Sequence, residues 1–272
     1  MENRIMVLGS SGLLGTAFSS ICDCISLSHN EVDIRSFSAL LRVFKKFKPT
    51  VVINATGIVG INVCESKPLL AISVNSYSVC DLVDLCKESG AIIIQPSTHN
   101  VFDGTKDGYY TEDDKPRPLQ IYGITKYLSE KIVSRYDKHY IVRYPTLFGK
   151  RKNNRNAFPD KIIDWIKYGN EFRVSYDKID SPSYGIDVAR ETIKLLDKPF
   201  GTYHIANSGS TNYYEFVLEI SRLLGVEPRV TKVKEHEFET MAPNALKTAM
   251  SSIKLDPLRS WEDALKEYLN ER

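Results

Sequence analysis

Short apolar runs alternate with longer amphipathic stretches through the first two thirds of the chain. The runs are RIMVLG, CISLS, TVVINATG, AIIIQPS and YIVRYP. Each is too short for a buried helix and too continuously apolar for a strand with one wet face, which is the signature of a strand covered on both sides. The stretches between them carry apolar residues at helical spacing and predict helices beginning near Gly12, at Ser36 to Phe47, from Pro68 to Glu88 and from Gln120 to Tyr136. Strands separated by helix-length segments form a parallel sheet with helices on both faces, so the expected class is α/β. After Gly149 the rhythm changes. GKRKNNRNAFPDKI reads as a basic, polar loop entering a helix, followed by short strands (EFRVSY, GTYHIA) and a helix at Tyr213 to Leu224.

Composition narrows this little. The chain has 272 residues, 42% of them hydrophobic, enough for a core without staples. Lys plus Arg number 36 against 34 for Asp plus Glu, a balance that offers no electrostatic argument for nucleic acid or an anionic membrane. Five cysteines (Cys22, Cys24, Cys64, Cys80, Cys86) lie among apolar neighbours without C-x-x-C spacing and read as reduced thiols, with no metal site expected. The N-terminal apolar run is too short for a signal peptide and continues into a glycine turn, and no stretch approaches the roughly 20 apolar residues of a membrane span. A cytoplasmic location is the expectation.

Candidate chemistry collects where predicted strands end. Gly9-Ser-Ser-Gly12-Leu-Leu-Gly15 follows the first strand and opens a helix, which is the context of a dinucleotide-binding turn. Glycines there permit a tight turn and close approach of a pyrophosphate, whose charge meets the helix N-terminus, with Ser11, Leu13 and Leu14 in the same turn. A purely structural strand-to-helix turn is the alternative. The second strand ends at Leu27-Ser28-His29 without the acidic residue that NAD-specific sites carry, so Ser28 and His29 are read as accommodating a 2′-phosphate. His29 is otherwise an exposed loop histidine. Asp33 and Ile34 are placed to line an adenine pocket, and an acidic N-cap of the next helix explains Asp33 equally well. Tyr122 and Lys126 stand four residues apart on a predicted helix and share one face. The ammonium is therefore expected near the phenol, favouring its ionised form. Lowering a phenol by about three units from about 10 takes about 4 kcal/mol.

Several segments agree in order and spacing with a known family. Gly9 to Gly15, VVINATG (Val51 to Gly57), ESKPLLAISVN (Glu65 to Asn75), STHNVFDG (Ser97 to Gly104), PLQIYGITK (Pro118 to Lys126), DSPSYGIDVAR (Asp180 to Arg190), GTYHIANSGSTNYYEF and the terminal SWEDALKEYL together resemble an extended short-chain dehydrogenase/reductase of the dTDP-4-dehydrorhamnose reductase family. The resemblance implies a Rossmann-type doubly wound parallel sheet with a small C-terminal substrate-binding lobe. Residues 1–149 would form the NAD(P)-binding domain, and residues 150–272 a lobe interleaved with the remaining Rossmann elements.

Carried over residue by residue, the resemblance implies that Tyr122 is the catalytic acid, that Lys126 tunes it and holds the nicotinamide ribose, and that Thr98 completes the triad. It further implies that Ala55, Thr56 and Gly57 run along the cofactor, that Asn75 supports that strand end, and that Tyr144 borders the nicotinamide. The family usually shows Thr-Asp-Tyr where this chain has Thr98-His99-Asn100, and an arginine before proline where Ala242 precedes Pro243. His99 and Asn100 would thus face the substrate beside the reacting carbon, and Arg151, Lys152 and Arg155 would grip a nucleotide diphosphate. The implied activity is reduction of a nucleotide-linked 4-keto-6-deoxy sugar, with NADP(H) favoured over NAD(H). The implied partners are a nucleotide sugar and no nucleic acid or membrane, and a homodimer is compatible. The rival readings are a nucleotide-sugar epimerase on the same scaffold and a non-catalytic NADP-binding regulatory subunit.

Overall fold

The computed structural model describes residues 3–152 and 158–271. Its central sheet contains β1 (Ile5–Leu8), β2 (Cys24–Leu27), β3 (Val51–Asn54), β4 (Ile92–Thr98) and β5 (His139–Tyr144), with Gly201–His204 as a sixth strand. The order across the sheet is Gly201–His204, β5, β4, β3, β1, β2, and every pairing is parallel. From β1 the chain winds one way to β2 and then crosses back to β3. That reversal opens a crevice at the carboxyl ends of β1 and β3, where such sheets hold ligands. Leu8 is in register with both Leu27 and Asn54, so the segments leaving β1, β2 and β3 emerge side by side.

Helices cover both faces because successive strand residues point to opposite sides. Met6, Leu8, Val52 and Ile93 pack against α2 (Phe37–Phe47), the long helical run described below, and α6 (Ile121–Val133), through Leu40, Phe44, Leu82, Cys86 and Val133. Ile5, Val7, Ile53 and Ile94 pack on the other face against Ala17 and Phe18 of α1 (Leu13–Ile21), and the same core takes in Val188 and Ala189. A separate core in the C-terminal third gathers Phe148, Ile162, Phe216, Trp261 and Tyr268. The parallel pair Glu171–Ser175 and Arg229–Val233 lies in this lobe.

The long helical run opens with α3 (Ile61–Ser66) and continues through α4 (Pro68–Ile72), a π-helical turn at Ser73–Tyr77, and α5 (Ser78–Ser89). The π turn holds the buried pair Asn75 and Ser76, and Ser76 Oγ donates to the Thr125 carbonyl of α6 at 2.8 Å. Residues Pro68–Ser89 reach the length and hydropathy of a membrane-crossing helix, 22 residues at a mean hydropathy of 1.4. This corrects the expectation that no stretch approaches a membrane span; Ser, Asn and Asp punctuate the apolar residues of this run. Half of it is buried inside the protein, where Val79, Leu82, Val83 and Cys86 join the sheet's core.

GTYHIA adds a strand to β5 in the main sheet, with Tyr203 opposite Val142. Two further expectations are corrected. The helix expected to run to Tyr136 ends at Val133, where the chain tightens into turns. Asp33 is not the N-cap of α2: Ser36 is, its hydroxyl accepting from the Ala39 amide. From the second half of the chain, α7 (Phe158–Lys167), α8 (Gly185–Lys194), α9 (Tyr213–Leu224) and α10 (Trp261–Asn270) complete the helices, and α8 returns to pack beside α1.

Candidate active site

The glycine turn is shaped by steric necessity at two of its three glycines. Gly9 has φ +81°, and a Cβ on it would lie 2.7 Å from the Ala55 carbonyl carbon and oxygen; a Cβ on Gly15 would lie 2.2 Å from the Gly9 oxygen. Gly12 differs, because a Cβ there meets only the Gly9 oxygen, at 3.5 Å. Gly12 is also the N-cap of α1 and contributes no side-chain cap, and the first turn holds no acidic residue. Its amide end is therefore open to an anion, with the backbone of Ser11, Leu13 and Leu14 beside it. The Leu13 and Leu14 side chains serve packing: Leu13 is buried against Gly185 and Leu14 joins the sheet's core. Across the crevice, Thr56 Oγ1 donates to Asn54 Oδ1 at 2.5 Å, and Asn54 Nδ2 donates to Gln95 Oε1 at 2.9 Å.

The end of β2 departs from the expected 2′-phosphate pocket. Ser28 donates through its amide and its hydroxyl to Glu31 Oε2, each at 2.7 Å. The hydroxyl is thus committed, and a carboxylate stands where Ser28 was read as receiving a phosphate. Those hydrogen bonds lower the Glu31 pKa, with the charge of Lys152 adding to them. Glu31 lies four residues beyond Leu27, the last residue of β2, and an acidic side chain able to fold back on the strand end is the signal that locates it. His29 is exposed. Asp33 receives Arg35 Nε and Nη2 in a two-pronged pair, which holds its carboxyl at about 2, while Ile34 is buried in the core.

Thr98, Tyr122 and Lys126 converge at the carboxyl end of β4 and the first turns of α6. Thr98 ends β4, paired with Tyr144 of β5, and caps a short 3₁₀ turn at His99–Val101. Gln120 caps α6, its Oε1 accepting from the Gly123 amide, and Glu65 accepts from the Ile121 amide. Gly123 lies so close to the His99–Val101 turn that a Cβ would sit 2.1 Å from the Asn100 carbonyl oxygen. Tyr122 is partly exposed, and burial of its ring region pushes the phenol up to about 12, while the Thr98 hydroxyl pulls in the opposite direction. This corrects the expected lowering by Lys126. The lysine is itself buried, desolvation brings it down to about 8, and Glu130, one turn further along α6, opposes that fall. Glu130 is thus the nearby negative charge that favours the ammonium.

The other candidates engage neighbouring elements. The Asn75 side chain accepts from the Ile58 amide and donates to the Ile58 carbonyl and Thr125 Oγ1, clamping the segment after Gly57 with both ends of its amide. The Tyr144 hydroxyl pairs with Thr192 Oγ1 of α8 at 2.6 Å, so its ring is held in the core. His99 is buried with Nε2 3.8 Å from Asp180, and burial lowers its pKa. Arg151 and Lys152 sit differently: Arg151 is partly buried and Lys152 is exposed. Arg151 interacts with Asp160 and Tyr268 in the lobe, whereas the Lys152 amide donates to Thr16 of α1. Arg155 lies outside the described residues.

Comparison with known proteins points in one direction. The family described as the RmlD substrate binding domain matches residues 3–272. A dTDP-4-dehydrorhamnose reductase of Streptomyces griseus is 30% identical over 97% of this chain and 92% of its own length. Among solved structures, a dTDP-4-dehydrorhamnose reductase of Clostridium acetobutylicum superposes with a TM-score of 0.92 at 31% identity, covering 98% of this chain and 99% of that one. The dTDP-4-dehydrorhamnose reductase of Bacillus anthracis, solved in complex with NADP, gives 0.95 at 27% identity and covers the whole of both chains.

Proposed function

The chain belongs to the RmlD substrate binding domain family, and from that premise we propose that it is an NADPH-dependent reductase of a nucleotide-linked 4-keto-6-deoxy sugar. The observation that carries the reading is that Thr98 and the helix bearing Tyr122 and Lys126 meet at the carboxyl end of the parallel sheet, the same end at which α1 opens with a free N-terminus. The cofactor assignment is supported by the NADP complex of the Bacillus anthracis relative and by the open space at Gly12. The sugar assignment is supported by the names of the relatives.

When bound, NADPH supplies a hydride to the keto carbon. Gly9, Gly12 and Gly15 let the backbone approach the pyrophosphate, and the amide end of α1 meets its charge. Thr98 donates a hydrogen bond to the keto oxygen and fixes it beside the Tyr122 phenol. Tyr122, protonated at neutral pH because its pKa is raised, delivers its proton to that oxygen as the alcohol forms. Lys126 stabilises the phenolate left behind and holds the cofactor's ribose. Residues 150–272 supply the lobe that binds the nucleotide sugar over this edge of the sheet.

The test is NADPH consumption with a panel of nucleotide-linked 4-keto-6-deoxy sugars, comparing wild type with Tyr122→Phe. Wild type turns over at least one member, and loss of the phenol lowers kcat by about a hundredfold or more. Isomerisation of a nucleotide sugar with no net NADPH consumption, by a protein retaining its nucleotide through dialysis, would instead establish an epimerase.

A further inference from the structure

Thr98 can serve as a donor only if its single hydroxyl proton points toward the reacting oxygen, and the surrounding amides determine where it points. One backbone group of fixed polarity orients the rest. The Gly123 amide donates to Gln120 at 2.7 Å, so the Gln120 atom it meets is the carbonyl oxygen, Oε1. The other end of that side chain is then an NH₂ group, which donates to Asn100 at 3.0 Å and makes the facing Asn100 atom Oδ1. Asn100 Nδ2 is left pointing at Thr98 Oγ1, 3.3 Å away, and at His99 Nε2, 3.1 Å away. An NH₂ group has two hydrogens, one for each acceptor. The Asn100 backbone amide also donates to Thr98 Oγ1, at 3.2 Å.

Thr98 Oγ1 thus receives two hydrogen bonds from one residue, which occupies its acceptor capacity and directs its own proton away from Asn100. We infer that Asn100, held by Gln120, is a positioning residue that keeps Thr98 in the donor state toward Tyr122 and the substrate oxygen. The inference rests on the proposed reductase reading and deepens it. It also reassigns Asn100, which the sequence pattern offered as a substrate contact. Asn100 acts through Thr98, and Gln120 couples it to the cap of the helix that carries Tyr122 and Lys126. The helix position and the proton direction are therefore set by one network. Neither amide comes from an element that moves independently: Gln120 is buried at the start of α6, and Asn100 lies on the 3₁₀ turn against which Gly123 is packed.

Asn100→Asp tests this with almost no change in shape. Gln120 still donates to one carboxylate oxygen, while the other replaces the NH₂ group at Thr98 and captures the threonine proton. With the sugar substrate and NADPH, kcat is expected to fall about tenfold to a hundredfold, with KM for the sugar within about twofold of wild type. The double variant Thr98→Val/Asn100→Asp should be no slower than Thr98→Val alone, because the second change acts only through the hydroxyl already removed. Wild-type kcat in Asn100→Asp, an effect confined to KM, or additive losses in the double variant would each overturn the inference. Thermal unfolding checks that the variants fold. If Asn100→Asp does not, Asn100→Leu, which lacks both donor and charge, carries the same test and the same expected fall. Absence of NADPH-dependent turnover in the wild type would refute the reductase reading itself, whereas wild-type turnover with an unaffected Asn100→Asp would refute only the positioning role.

Discussion

Arg143 donates through Nε and Nη2 to the two carboxylate oxygens of Glu130, at 3.0 and 2.8 Å, with both side chains almost wholly buried. Ser97 Oγ adds a third donor to Glu130. The pair joins β5 to α6 one helical turn beyond Lys126, and it gives the buried lysine a nearby negative charge. Removing one partner of such a pair leaves the other charge without compensation. Glu130→Gln is accordingly expected to destabilise the fold by about 3–5 kcal/mol, measured by urea denaturation. A loss below about 1 kcal/mol would show that the pair is not a determinant of stability.

Lys126 is expected to oppose folding. Burial lowers its pKa from 10.5 to about 8, so at neutral pH the folded state holds an ammonium that the unfolded chain solvates better. The sign follows from proton binding: between about pH 8 and 10.5 the unfolded state binds more protons, and wild-type stability rises with pH in that window. Lys126→Met should raise stability at pH 7 by roughly 1–3 kcal/mol, abolish turnover, and lose its advantage as pH climbs toward 10.5. A lower melting temperature for the methionine variant at neutral pH would contradict the burial argument.

The same residue sets an expected pH dependence of catalysis. The cation that supports the Tyr122 phenolate is present below about pH 8 and is lost above it. For the free enzyme, kcat/KM should therefore decline on the alkaline side with a midpoint near pH 8. In Lys126→Arg, whose guanidinium stays charged, the residual rate should be flat through that range; a midpoint that survives the substitution would belong to another group.

The two kinds of glycine in the nucleotide turn predict different failures. A Cβ at Gly15 would strike backbone at 2.2 Å, so Gly15→Ala should destabilise the fold by about 1–3 kcal/mol. At Gly12 the new atom meets nothing closer than 3.5 Å, so Gly12→Ala should leave the melting temperature within a few degrees of wild type. NADPH binding should nonetheless weaken by about tenfold or more, because the methyl group occupies the approach to the helix N-terminus. Fluorescence titration with NADPH and thermal unfolding separate the two cases. Equal affinity in Gly12→Ala would remove this turn from the nucleotide site.

Glu31 places a carboxylate at the end of β2, where an acidic group favours ribose hydroxyls over a 2′-phosphate. Glu31→Gln should shift the ratio of kcat/KM for NADPH over NADH upward by about threefold to tenfold, measured with both cofactors on the same sugar. An unchanged ratio would mean that the carboxylate serves only to hold Ser28.

The sequence by itself determined the elements and the chemistry-bearing turns. Periodicity and apolar runs report which faces of a segment avoid water, so α2, α9 and the first five strands fall within about three residues of their expected places. The spacing of Gly9, Gly12 and Gly15 likewise encodes a backbone conformation, which is local. Only the tertiary structure decided which polar atoms face one another. Asn100 meets Gln120 across 20 positions, Glu130 meets Arg143 across 13, and Tyr144 meets Thr192 across 48. Nothing local distinguishes a tyrosine aimed at a cofactor from one hydrogen-bonded behind the sheet, nor an asparagine facing substrate from one orienting a threonine. The same holds for GTYHIA, whose apolar pattern marks it as a strand but cannot say which edge it joins. Hydrophobic patterning fixes how much of a segment is buried; the partner is chosen by packing of the whole chain, which brings distant donors and acceptors into register and, with them, sets proton direction and charge at the site.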